Sequence, residues 1–520
     1  MEWRVTLNEN AYITVFRDEN GKITITTYPK NLGKIIRFRE IDDKILLFAL
    51  DDCFAGISLR RKEPLYLRAP FTTAQLKTLA NITEGRDRFG HGYNPYGRNK
   101  EVFDRGRELE VAEGVCTELH THFIEMLTSE ELIEVLGEYL DVIPLYNGVI
   151  PGKLVKGERL RDDLTEDQIR SIREKCLRVF EFKKVKDLIE EGIFDEVISQ
   201  LSISVDRQVP FFELEETSAK RTNIITIAAR NMAKEKGLDP KNDSDVAYCR
   251  GILYIEMLKK SLAVLRKKGV EYVEFSYSTQ KTIETMHSYY VKHRGEFADV
   301  KMGILFSFSR NVYKEGSVIS KLESFRELVL ANAVIGFDLM GQEHGLTLED
   351  INDESEILHF SYIIKEVLEI MNGRTDMVLR LHAGENPECY QNPLYSLQAI
   401  DRLVNLYGFV PPQIRIGHGL YFFQNDYYNP EEKNEYARLL KKYGVIVEIN
   451  ATSNYTLSNI YDLNLLPYQW YLDNGIPFVL ATDGAGMYLT DALQERVIAE
   501  LFGGEKVVRH VSETEDRFLR

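Results

Sequence analysis

The 520-residue sequence predicts an α/β protein: a (β/α)8 TIM-type barrel with a long helical insertion after its first strand and a small N-terminal β-rich module. Three observations predict this. From residue 111 onward, short strand-like runs alternate with longer stretches of helical periodicity, and the strand-like runs number eight. Several of these runs are apolar throughout, as strands covered on both faces are. Histidines and acids also gather just past the ends of four of them, the edge at which barrels carry their chemistry.

Residues 1–84 read as the β-rich module. Ile13–Phe16 and Ile23–Thr26 alternate on either side of Asp18–Gly21, a turn cluster ending in the Asn-Gly pair that suits a tight hairpin. A second pair, around Ile35–Phe38 and Ile45–Leu50, flanks Asp42-Asp43. Residues 85–110 form a Gly/Arg-rich linker or loop, in which Arg86, Arg88, Arg98, Lys100, Arg105 and Arg107 would also suit phosphate gripping or a subunit contact. Residues 111–520 read as the barrel. Its expected strands are Val115–Thr121, Tyr272–Ser278, Gly303–Phe308, Val334–Leu339, Met377–Leu381, Ile414–Gly417, Val445–Ile449 and Phe478–Ala481.

The first connection, about 124–270, is far longer than the usual βα loop of about 2–6 residues. It is helical by pattern over Ser129–Leu140, Glu166–Glu191, Ala219–Lys236 and Asp245–Lys268, which suits a cap over the catalytic face. Thr490–Phe502 supplies the last barrel helix, and the charged tail from Gly503 is expected to be peripheral or to serve a neighbouring subunit.

Composition sets the class. With 44% hydrophobic, 11% aromatic and 28% charged residues the chain is not a mostly disordered one. Its 65 basic and 81 acidic residues give a net charge of −16, which repels polyanions and argues against general nucleic-acid binding, while leaving room for a small anion in a local basic pocket. No apolar run approaches the roughly 18 residues of a membrane span, and the Met-Glu-Trp-Arg start lacks a signal-peptide pattern, so a cytoplasmic protein is expected. The five cysteines are scattered without a C-x-x-C pair, unlike a disulfide framework or a thiolate zinc site. A homo-oligomer is compatible with all of this.

His120 and His122 stand at i and i+2 in Glu118–Phe123, a spacing that points both rings to one side of a strand. Arg380–Asn386 places His382 and Glu385 at the end of the fifth expected strand. Arg415–Gly419 offers His418 at the end of the sixth, and Ala481–Ala485 offers Asp483 at the end of the eighth. In a closed barrel these ends converge. Three imidazoles and one carboxylate suit a single zinc ion with a retained solvent position, where bound water acquires a pKa of about 7. Glu385 can carry protons, and His418 can hold or deprotonate the attacking water. The chemistry is hydrolytic addition to an electrophilic carbon.

These segments, in this order, resemble the adenosine deaminase family of metal-dependent hydrolases over roughly residues 111 to 500. The H-x-H of the first strand matches His120 and His122, H-A-G-E matches His382–Glu385, and G-H-G matches Gly417–Gly419. Asp338–Glu343 looks like the family's D-L-x-G-x-E, Gly269–Ser278 is similar to its second strand, and Ser453-Asn454 and Asn474–Phe478 also fit. The resemblance implies zinc on His120, His122, His382 and Asp483. It implies that Glu385 donates a proton to the purine N1, and that His418 steadies the hydroxide attacking C6. Gly341 and Gly384 would border the substrate, Gly341 with its backbone at the purine N3 edge. The implied activity is deamination of a 6-aminopurine nucleoside or nucleotide (adenosine, AMP, dAMP or ATP-like) to the 6-oxopurine with release of ammonia.

Two departures bear on the substrate. The family follows its zinc-binding aspartate with a second one that bonds purine N7, whereas Asp483 is followed here by Gly484. Another group must then recognise the base, or the base differs. The family's acid two positions after the second histidine contacts the ribose 5′-hydroxyl; Ile124 stands there instead, and loss of that charge admits a 5′-phosphate. By analogy, nucleotide-consuming relatives act in bacterial antiphage defence, for which a specialised N-terminal module would suit. The alternatives are a related metal-dependent amide or ester hydrolase and a catalytically inactive deaminase-like scaffold. No lysine ends the fourth expected strand to bridge two metals, which favours one ion, and the H-x-E and P-C-x-x-C signatures of cytidine-type deaminases are absent.

Overall fold

The computed structural model describes seven strands between residues 2 and 67, then residues 116–145, 181–205 and 211–519 except 298, 311–314, 342, 344, 387–388, 421–428, 458 and 461–462. The chain falls into two compact units, one of residues 1–95, 138–201 and 208–228 and the other of 96–137, 202–207 and 229–520.

In the first unit, β1 (Glu2–Asn8), β2 (Ala11–Arg17) and β3 (Ile23–Tyr28) form a three-stranded sheet. β4 (Arg37–Asp42), β5 (Ile45–Leu50), β6 (Cys53–Ser58) and β7 (Glu63–Leu67) form a four-stranded one. Both expected hairpins are present, with Thr14 opposite Thr26 and Phe38 opposite Phe48. The Gly/Arg-rich segment 85–110 lies outside the described residues, as does most of the helix expected over Glu166–Glu191.

The described end of that expected helix begins differently. β10 (Glu181–Lys184) pairs antiparallel with β9 (Val142–Leu145) before a helix runs over Val185–Glu190. Glu and Lys favour helix locally, but a distant strand supplies a ladder, and pairing outweighs so small a preference. Helices Phe211–Glu235 and Asp243–Lys267 stand where periodicity placed them. The helix from Ser129 stops at Leu136, short of the expected Leu140, as Gly137 takes φ +51°.

The second unit is a parallel barrel. Its strands are β8 (Cys116–His122), β11 (Val270–Tyr277), β12 (Lys301–Ser309), β13 (Gly336–Met340), β14 (Val378–Ala383), β15 (Gln413–His418), β16 (Ile446–Ile449) and β17 (Phe478–Leu480). They lie side by side in chain order, and all seven pairings are parallel. The ring closes at Asp483, whose N–H donates to His120 O at 2.8 Å and whose carbonyl accepts from His122 N at 3.0 Å. Helices follow the strands; Phe360–Ile370, for example, buries Phe360, Ile363, Ile364, Val367 and Leu368 on one stripe.

The tail after Gly503 is not peripheral, which corrects the expectation. Glu505–Leu519 is a helix that buries Val507, Val511, Thr514 and Glu515, and Phe518 packs against Leu119, Ile446 and Val479. Its i, i+4, i+7 spacing is a core-facing stripe among charges that read as solvent-facing on composition alone. Cys249 and Cys389 are buried and not joined in a disulfide. Among the described residues no helix is long and apolar enough to cross a membrane.

Candidate active site

Parity on β8 places His120 and His122 on the same face, and the C-terminal strand ends bring His382 and Asp483 to them. Nε2 of His382 lies 3.0 Å from Nε2 of His120 and 3.3 Å from Nε2 of His122. Oδ1 of Asp483 lies 3.4 Å from His120 Nε2 and 3.3 Å from His122 Nε2. A tetrahedral ion held at about 2.0–2.1 Å from each ligand needs ligand atoms about 3.3–3.4 Å apart. The four side chains therefore fit one divalent cation.

The rings are turned the right way for it. Nδ1 of His120 lies 2.9 Å from Glu448 Oε2, and Nδ1 of His382 lies 3.1 Å from Asp338 Oδ1. Carboxylates at Nδ1 place the ring proton there and leave Nε2 as the lone pair facing the centre. Burial, the largest influence, brings His382 down to about 4, so it is neutral at pH 7. Burial also depresses His122, but Asp483 beside it prevails and raises it above its ordinary value. A metal would expel that proton.

Beneath the histidines the barrel interior is ionic. Arg380 pairs with Asp338 at 2.9 Å and donates to Leu119 O at 2.8 Å. Arg415 bonds Glu274 through both terminal nitrogens and reaches Glu448 Oε1 at 3.3 Å. Burial resists ionisation of Asp338 and Glu448, yet Arg380 overcomes it in both, holding Asp338 well below and Glu448 below the usual carboxylate range. These charges are fully buried, so each depends on its partner.

Two further candidates stand beside the cluster. Nε2 of His418 is 3.7 Å from Glu385 Oε2, and the two gather with Asp483 into a second group of potential ligand atoms. Asn454 Nδ2 lies 3.2 Å from His418 Nδ1 and also donates to Asn450 O at 2.6 Å, which fixes the orientation of the amide. His418 Nδ1 is therefore the acceptor, and its proton sits on Nε2, toward Glu385. Burial holds His418 well below the ordinary imidazole value. His418 and Asp483 both adopt φ +67°, a left-handed backbone that non-glycine residues hold only where the surroundings dictate it. Gly417 makes room for the cluster: a Cβ there would lie 2.6 Å from His120 Cε1.

Glu385 is aimed by Glu343. The Glu343 carboxylate accepts from the backbone N–H of Gly384 at 2.9 Å, Glu385 at 2.8 Å and Asn386 at 2.7 Å, and from Asn392 Nδ2 at 3.1 Å. Gly341 (φ +91°) ends β13, and Gly384 (φ +77°) opens the loop that carries Glu385. All the metal-ligand candidates, Glu385 and His418 are thus brought together. The sequence reading did not single out Glu448, Arg380, Arg415 or Glu274 for a role at the site. Their signal was a set of charged residues at inward positions of otherwise apolar strands. Glu343 was visible only as part of a motif.

No family model matches the chain. Curated relatives include an adenosine deaminase of Plasmodium gallinaceum, 26% identical over 244 residues, which covers 44% of this chain and 57% of the relative. Another is an adenosine deaminase of Plasmodium vivax, 23% identical over 43% of this chain and 55% of the relative. The chain thus spans a little over half the length of the curated relatives it matches. Among solved structures, the N6-methyl-AMP deaminase of Arabidopsis thaliana aligns with a TM-score of 0.45 at 14% identity, over 79% of this chain and 91% of that one.

Proposed function

We propose that this protein is a zinc-dependent aminohydrolase that converts a 6-aminopurine nucleoside or nucleotide to the 6-oxopurine, releasing ammonia. The observation that carries the reading is the meeting of four ligand atoms from β8, β14 and the end of β17 with Glu385 and His418 alongside. The similarity to adenosine deaminases supports the substrate class. When bound, zinc supplies a water of lowered pKa and a Lewis acid.

The chain's own residues do the rest. His120, His122, His382 and Asp483 hold the ion, while Glu448 and Asp338 fix two of the rings. Asp483 is itself oriented by Ser453, whose hydroxyl donates to Oδ2 at 2.6 Å. Glu385, held by Glu343, gives a proton to ring N1 and so makes C6 electrophilic. His418, with its proton on Nε2, donates a hydrogen bond toward the oxygen that attacks C6; this favours holding over deprotonation, the two roles the sequence left open. Addition of water at C6 and cleavage of the C6–N bond give the 6-oxopurine and ammonia. Ile124, where the family carries an acid, supports a 5′-phosphorylated substrate.

The test is metal analysis together with ammonia release from adenosine, AMP, dAMP and ATP, using wild type and Glu385→Gln. One zinc per chain in both proteins is expected, with turnover lowered at least about 100-fold in the variant. Metal-loaded wild type inert on every 6-aminopurine would overturn the proposal. Fast turnover of adenosine alone would remove the phosphate from it.

A further inference from the structure

A second cavity lies on the barrel face opposite the candidate active site. The N-terminal ends of β11 and β12, residues 332–335 before β13, and the C-terminal end of helix Gln280–Lys292 border it. Its volume is about 330 Å³, within the roughly 300–1,000 Å³ of small-molecule sites.

Two kinds of wall meet in this cavity. Arg294 and Lys301, both exposed, supply the charged one. Among the described residues neither pairs with a carboxylate or donates to a helix carbonyl. The acids nearby in the chain are occupied elsewhere, Glu296 by His293 at 2.9 Å and Asp299 by Arg266. His287 lines the same cavity as a neutral ring at pH 7, because burial lowers it below the ordinary imidazole value. Helices Gln280–Lys292 and Glu315–Leu330 end beside the cavity. Each brings roughly half a negative charge, so two cations leave the rim about one positive charge in excess. On a chain of net charge −16 such a spot is local, and a small anion is held there by its immediate neighbours.

The other wall is aromatic and apolar, with Tyr272, Tyr290, Met302 and Ile335. Tyr272 stands opposite Lys301 in the β11–β12 ladder, and its hydroxyl donates to Glu274 Oε1 at 2.8 Å, which fixes the ring. Gly303 lets this wall close. A Cβ there would lie 2.9 Å from Ile335 Cγ1 and 3.2 Å from the Tyr272 hydroxyl oxygen. A surface set in advance loses little freedom when a ligand seats on it.

We propose that this cavity binds a small organic phosphate of mononucleotide size, its phosphate between Arg294 and Lys301 and its ring against Tyr272 and Tyr290. The site is separate from the candidate active site, and no step of the proposed reaction uses it. Inorganic phosphate would answer the cations and leave the aromatic wall unused.

The experiment is equilibrium titration of the zinc-loaded full chain with UMP, uridine and inorganic phosphate. It uses wild type, Arg294→Ala, Lys301→Ala, the double variant and the charge-keeping Arg294→Lys. UMP is the probe because it has no amino group to lose. UMP should bind wild type with Kd at or below about 1 mM, more tightly as salt is lowered. Uridine and inorganic phosphate should each bind at least about 10-fold more weakly, having one half of the contacts. Each alanine variant should weaken UMP by about 10-fold, the worth of one charge-assisted bond, and Arg294→Lys by less. The double variant should lose one equivalent of bound UMP while deaminating as wild type does. UMP bound equally by wild type and the double variant would place it elsewhere, the candidate active site included, and refute the proposal. Inorganic phosphate binding as tightly as UMP would refute it too, as would no UMP binding to wild type. The titration is read without turnover, so its result is independent of the proposed function.

Discussion

Replacing Glu343 by glutamine tests how Glu385 is aimed. Oε2 of Glu343 accepts from the N–H groups of Glu385 and Asn386, and Oε1 accepts from Gly384 N and Asn392 Nδ2. Glutamine keeps one oxygen and turns the other into an NH2 group, a donor set against two donors. Two charge-assisted bonds at about 1.5–3 kcal/mol each are lost, a gross penalty of about 3–6 kcal/mol. Relaxation of the loop returns part of it, leaving about 3 kcal/mol. If that falls on the placement of Glu385, kcat/KM drops by about 100-fold, since each 1.36 kcal/mol is a factor of ten. The assay is steady-state deamination of the preferred 6-aminopurine, read beside zinc content and thermal unfolding. The expected pattern is a lower kcat with metal retained. A zinc-loaded Glu343→Gln within about threefold of wild-type kcat/KM would refute the view that this carboxylate positions the loop.

Two other predictions concern the scaffold. Burial pushes Glu495 up to about 7, against hydrogen bonds from Ala451 N at 3.0 Å and Thr490 Oγ1 at 3.0 Å. Its folded pKa exceeds its unfolded one, so the folded chain binds more protons above about pH 4.5, and the contribution of Glu495 to stability falls as pH rises through about 7. Denaturant titrations should show this decline between pH 5 and 8, and Glu495→Gln should flatten it; identical slopes would contradict the assignment. Phe518 covers Leu119, Ile446 and Val479 and lies 4.8 Å from the Arg415 guanidinium carbon. Phe518→Ala should cost about 2–4 kcal/mol of unfolding free energy, and a loss below about 0.5 kcal/mol would show the last helix to be dispensable.

Much of the barrel was legible because its signals are local. Strands buried on both faces read as continuous apolar runs, and each of the eight expected strands overlaps an observed one. The strand at Glu181–Lys184 was not legible, because its cause is a partner some 40 residues away at Val142–Leu145. The last helix was misjudged for a related reason. Its charges dominate a reading of composition, whereas Val507 and Val511 are buried and Phe518 packs on Leu119, Ile446 and Val479 of β8, β16 and β17, partners that no neighbour in the chain announces.

The sequence by itself determined which residue types sit at the strand ends, and hence the chemistry open to them: imidazoles and a carboxylate for a cation, Glu385 for protons and His418 beside it. That information lies in one residue and its immediate neighbours. Only the tertiary structure decided distances and partners. It brought four ligand atoms to separations that suit one ion, gave Glu448 and Asp338 the task of turning two rings, and set the His418 proton on Nε2 through Asn454. It also filled the space at Gly484 with Glu125. Barrel closure joins the first strand to the last, so the groups that meet there are those the linear chain holds farthest apart.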